Sequence, residues 1–148
     1  MNSEILNISA NSPAKLVDIN FNDIQFKKEN IAAEFGYTKN KLPDHFLELL
    51  DEIINEVPGK CEIKAGYKVL EFTNQSGIKN GIEVGGIHFN TDVIVASQMK
   101  QSEFAAIFLC TIGDGLENWS KSNNDPVLSY LIDMTASSLV ESVADHLH

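Results

Sequence analysis

An uncharged apolar run followed by a glycine turn is the feature that most constrains the fold of this chain. Residues 104–111 read FAAIFLCT and lead through Ile112 into Gly113-Asp114-Gly115. A continuous apolar run is typical of a strand that is covered on both faces rather than of one that is half exposed. We therefore expect a central strand here, followed by a turn and by a polar segment that begins a helix.

Two amphipathic helices are predicted, one on each side of the middle of the chain. The first runs from Pro43, which suits a first helical turn, to a stop at Pro58 and Gly59. The second begins with Asp125 as the N-cap and Pro126 at the first helical position, and it extends for about 23 residues. The apolar side chains of the second helix recur at helical spacing and predict its buried stripe: Leu128, Ile132, Ala136, Leu139, Val143 and Leu147.

The segment between these helices is rich in strand patterns. Residues 60–72 alternate polar and apolar side chains, which predicts a strand, and residues 82–89 predict a second strand whose Gly85-Gly86 pair indicates a bulge. Residues 91–102 fit either a short strand or a helix, and residues 27–37 resemble a short helix. With strands in the middle and helices on both sides, we expect an α+β domain with a largely antiparallel central sheet and a long C-terminal helix.

The domain organisation follows from the same pass along the chain. Residues 1–13 are polar and are expected to form a flexible N-terminal arm, whereas residues 14–148 are expected to form a single domain. The longest apolar runs are far shorter than the roughly 20 residues of a transmembrane span, and the first residues lack the pattern of a signal peptide. Cys61 and Cys110 are isolated thiols, best interpreted as small core residues of a protein in a reducing cytoplasm.

The charge of the chain limits its partners. The sequence contains 11 basic and 21 acidic residues, which give a formal net charge of −10. A field of this sign repels phosphate backbones and anionic lipids, so we expect neither nucleic acid nor a membrane surface as a partner.

The Gly113-Asp114-Gly115 turn resembles a phosphate-binding loop only in part. Asn118 stands where a dinucleotide fingerprint has its third glycine, and no Lys-Ser or Lys-Thr pair follows as in a P-loop. Asp114 and Glu117 add negative charge where a phosphate would lie. Two interpretations remain: a purely structural turn, or a loop that contacts a ligand with a positive or polar end.

A second candidate site lies on the last predicted helix. Asp133, Ser137, Glu141 and Asp145 recur every four residues and form a slowly winding polar stripe among small side chains. Such a surface suits the ammonium or sulfonium group of a cationic metabolite, although a solvated helix face is the alternative interpretation. The four histidines form no ligand set by spacing, and no nucleophile motif of the G-x-S-x-G type occurs, so we expect no self-contained catalytic site and no metal.

Two long stretches near the C-terminus carry a family resemblance. AAIFLCTIGDGLENW and DPVLSYLIDMTASSLVESVADHLH resemble the activation region of vitamin B12-dependent methionine synthase, and more closely its short stand-alone bacterial relatives. In those relatives a strand ending in Thr-Ile-Gly leads to a GLE helix start and then to a long helix with an LxExxAxxLH-like ending. The matching residues of that ending here are Leu139, Glu141, Ala144, Leu147 and His148.

The resemblance implies an α+β domain that binds S-adenosylmethionine and helps a corrinoid methyltransferase to recover its methylcobalamin. The cobalamin would be carried by the partner protein, and a flavodoxin-like donor would supply the electron. Glu141 matches the family's ligand-binding carboxylate; Gly113, Asp114 and Gly115 would form the rim of the site, with Asp133 and Asp145 as weaker candidates.

The family's Arg-x-x-x-Gly-Tyr segment, which follows the long helix, does not occur before His148. One expectation is therefore that the domain lacks its C-terminal part. The alternative is a non-enzymatic interaction module that has kept the fold and lost the ligand.

Overall fold

The computed structural model describes residues 13–28, 31–32, 43–72 and 81–148. Five strands lie in this part of the chain: β1 (Lys15–Val17), β2 (Lys64–Glu71), β3 (Ile82–Val84), β4 (Ile87–Phe89) and β5 (Phe104–Thr111). Four α-helices lie wholly within it: α1 (Asp44–Lys60), α2 (Val93–Gln98), α3 (Gly115–Ser122) and α4 (Pro126–Leu147). Helices and antiparallel sheets together confirm the predicted α+β class, including the long C-terminal helix. The predicted arm and most of the predicted helix at residues 27–37 lie outside the described residues.

Three of the strands form one sheet in the order β1-β2-β5. The strands β2 and β5 run antiparallel, because hydrogen bonds join opposite ends of the two. The N–H of Glu62 donates to the carbonyl oxygen of Ile112 (2.8 Å), and the N–H of Phe72 donates to that of Glu103 (3.0 Å). The prediction that β5 is central and covered on both faces is wrong: among the described strands β5 lies at an edge of this sheet, and most of its side chains are exposed. An apolar run indicates that a strand is hydrophobic. Whether that strand is buried depends on which other strands become its neighbours.

The chain divides into two compact units, with the boundaries inside these three strands. Unit 1 comprises Met1–Leu16 and Gly66–Phe108, and unit 2 comprises Val17–Ala65 and Leu109–His148.

Unit 1 contains a hairpin of β3 and β4 where the sequence predicted one bulged strand. Ile82 pairs with Phe89 and Val84 with Ile87, and the two residues between the strands are Gly85 and Gly86. Their φ angles of 57° and 79° are both positive, as a two-residue hairpin turn of type I′ requires. The glycine pair therefore reverses the chain rather than making a bulge. The Gly85 N–H donates to the carbonyl oxygen of Glu71 (2.9 Å), which fastens the turn to β2.

Unit 1 also contains the short helix α2. Asp92 caps α2 by accepting a hydrogen bond from the N–H of Val95 (2.9 Å). Of the two structures that the sequence allowed for residues 91–102, the helical one is therefore formed.

The core of unit 2 is built by α1, α3 and α4, which pack on one another. Its fully buried side chains come from all three helices: Leu50, Ile53 and Val57 of α1, Leu116 of α3, and Leu131, Ile132, Leu139 and Val143 of α4. Three of those on α4 belong to the predicted stripe, namely Ile132, Leu139 and Val143. Pro58 and Gly59 do not end α1, because the helix continues to Lys60 and the N–H of Cys61 donates to the carbonyl oxygen of Val57 (3.1 Å).

The start of α4 agrees with its predicted cap. The carboxylate of Asp125 accepts hydrogen bonds from the N–H groups of Val127 (2.8 Å) and Leu128 (3.4 Å), and Pro126 follows directly. By length and composition alone α4 could cross a membrane, and 33% of its most apolar window is buried in the protein. The structure is compatible with a soluble protein.

Candidate functional site

The glycine turn after β5 is held against the segment that follows α1. Gly113 has a φ of 78°, a conformation that favours glycine, and its N–H donates to the Thr111 hydroxyl (3.1 Å). A Cβ atom at this position would lie 3.3 Å from the backbone nitrogen of Glu62. Backbone conformation and close packing therefore both account for a glycine at position 113.

Gly115, the first residue of α3, makes a still closer approach. A Cβ atom there would lie 2.0 Å from the carbonyl oxygen of Lys60, at the end of α1. The same end of α1 contacts α3 again, since the ammonium group of Lys60 lies 4.8 Å from the ring centroid of Trp119. The second glycine of the turn thus allows two helices to meet, which is a structural role independent of any ligand.

Asp114 stands between the two glycines at the N-cap position of α3. Its side chain is exposed and makes no capping hydrogen bond. The carboxylate therefore remains available to solvent or to a ligand, as the interpretation of a ligand-contacting loop requires.

The predicted polar stripe lies on the exposed side of α4. Asp133, Ser137, Glu141 and Asp145 are all exposed. Glu141 and Asp145 form no hydrogen bond or ion pair with any residue that the structure describes. These two carboxylates are four residues apart on one face of the helix, so they form a locally negative surface.

Asp133, by contrast, lies in the field of a lysine. The pKa of Lys121 is raised, first because its ammonium group donates a hydrogen bond to Glu117, then by the charge of Glu117 and, more weakly, by that of Asp133. Lys121 is thus paired chiefly with Glu117.

Small polar side chains of α4 lie partly in the interior of the protein and not only on its surface. Thr135 and Ser138 are buried, and the Thr135 hydroxyl donates to the carbonyl oxygen of Leu131 (2.7 Å). The Ser142 hydroxyl donates to the backbone carbonyl oxygen of Ser138 (2.8 Å). Hydrogen bonding to the preceding turn lets these hydroxyl groups face the interior without losing their partners.

One contact joins the end of β5 to α4 near the predicted site. The Cys110 thiol lies 4.0 Å from the carbonyl oxygen of Val140, the residue before Glu141. The glycine turn begins three residues after Cys110, so the strand that leads into the turn lies beside the part of α4 that carries Glu141. No hydrogen bond or ion pair among the described residues joins Glu141 itself to the turn.

Metal ligands do not cluster in the part of the chain that the structure describes: no group of three His, Cys, Asp or Glu side chains there could hold a metal ion. His88 is engaged with the Asn90 side chain oxygen (3.0 Å). Burial raises the pKa of the Cys61 thiol, which keeps it in the less reactive protonated form.

The sequence analysis did not predict that unit 1 exposes many large apolar side chains. Its large exposed side chains come from β1, β4, α2 and β5: Leu16, Ile87, Phe89, Val93, Ile94, Val95, Phe104, Ile107 and Phe108. The sequence did contain one signal, because VIVA and FAAIF lack the polar alternation that a half-exposed element should show.

A scan against protein-family models found no family that matches the chain. A search of curated proteins found no match either.

Proposed function

We propose that this chain is a cytoplasmic accessory domain or subunit of a corrinoid-dependent methyltransferase, and that it binds S-adenosylmethionine beside Glu141. The observation that supports this proposal best is the state of Glu141: its carboxylate is exposed and has no hydrogen-bond or ion-pair partner among the described residues. A free carboxylate attracts the sulfonium and ammonium groups of S-adenosylmethionine.

The surroundings of Glu141 are consistent with such a ligand. Asp145 adds a second negative charge one helical turn away, and Cys110 brings the strand that leads into the turn against Val140. Gly113, Asp114 and Gly115 would then supply the rim, with Asp133 further along the helix.

The roles in the reaction divide between this chain and its partners. The cobalamin carried by the methyltransferase would supply the methyl-transfer chemistry, and a flavodoxin-like protein would supply the electron. The residues of this chain would hold and orient the methyl donor, which is how a protein serves a reaction that belongs to a cofactor.

Titration calorimetry with S-adenosylmethionine tests the proposal. We expect measurable heat with the native protein and an affinity lowered about tenfold in Glu141→Gln, because one charge-assisted contact is lost. Glu52→Gln is the matched control: it removes the same charge from an exposed position on α1 and should bind as the native protein does.

Two results would contradict the proposal at different levels. Absence of both heat and a thermal shift with the native protein would remove the binding function. Unchanged affinity in Glu141→Gln would leave the binding function intact but would remove the assigned role of this carboxylate.

A second function has its own support. The exposed apolar side chains of unit 1 are typical of a surface that meets another protein, so the chain would serve as a non-enzymatic interaction module without a ligand. A chain that does not bind S-adenosylmethionine but still associates with a corrinoid methyltransferase in sedimentation experiments would favour this function.

A further inference from the structure

We draw no further inference here: the strongest candidate, the apolar outer edge of β5 in unit 1, carries none because nothing in the part of the chain that the structure describes shows what covers it.

Discussion

Replacing Gly115 by alanine should destabilise the protein although alanine is the better helix former. A Cβ atom at position 115 would lie 2.0 Å from the carbonyl oxygen of Lys60. Because the clashing atom belongs to the backbone, no side-chain rotation relieves it, and α1 must move away from α3. Such overpacking costs about 3 kcal/mol at the upper end of its usual range, and the helix propensity of alanine returns only about 1 kcal/mol.

The net loss is therefore about 2 kcal/mol in the free energy of unfolding. For a chain of this length that corresponds to a melting temperature lower by roughly 4–8 °C. Thermal unfolding followed by circular dichroism measures the change, without S-adenosylmethionine so that no ligand effect enters.

Gly59→Ala provides the matched control. Gly59 lies in the last turn of α1, and a Cβ atom there would meet nothing within 4 Å. Alanine should therefore raise stability at this position by about 0.5–1 kcal/mol. If Gly115→Ala proved as stable as Gly59→Ala, the close approach of the two helices would be refuted, and the glycine would need a different explanation.

Two smaller perturbations test other parts of unit 2. Asp125→Ala should lower stability by about 1 kcal/mol, because the N–H groups of Val127 and Leu128 lose their acceptor; Asp125→Asn keeps an acceptor and should lose much less in the same thermal assay. Because burial raises the pKa of the Cys61 thiol, its reaction with a thiol reagent should accelerate at a higher pH in the folded protein than in denaturant, and Cys110→Ser allows this rate to be followed alone. An equal pH dependence in both states would contradict the burial of Cys61.

Local signals in the sequence were sufficient where local chemistry decides the structure. Asp125 and Pro126 predicted the start of α4 correctly, because a cap is formed by residues adjacent in sequence. The Gly85-Gly86 pair marked a special backbone conformation, but choosing between a bulge and a reversal requires knowing which strands pair. The hairpin was therefore missed although its residues were identified.

The position of β5 was not predictable for a related reason. Its composition indicated an apolar strand correctly, but the order β1-β2-β5 that leaves it at an edge is a property of the whole sheet.

For the candidate site, the sequence predicted the exposed stripe of Glu141 and Asp145 from periodicity. It could not predict that Gly115 meets Lys60, since 55 residues separate them along the chain (115 − 60 = 55). The binding role of Glu141 stays a prediction.

The net charge of −10 makes the solution behaviour of this protein sensitive to ionic strength. The excess carboxylates act as a colloidal stabiliser that keeps molecules apart while large apolar side chains of unit 1 remain exposed. Salt shortens the reach of that repulsion to about 8 Å at physiological ionic strength but leaves apolar attraction in place. Buffers of low ionic strength should therefore favour separate molecules, and added salt should promote their association.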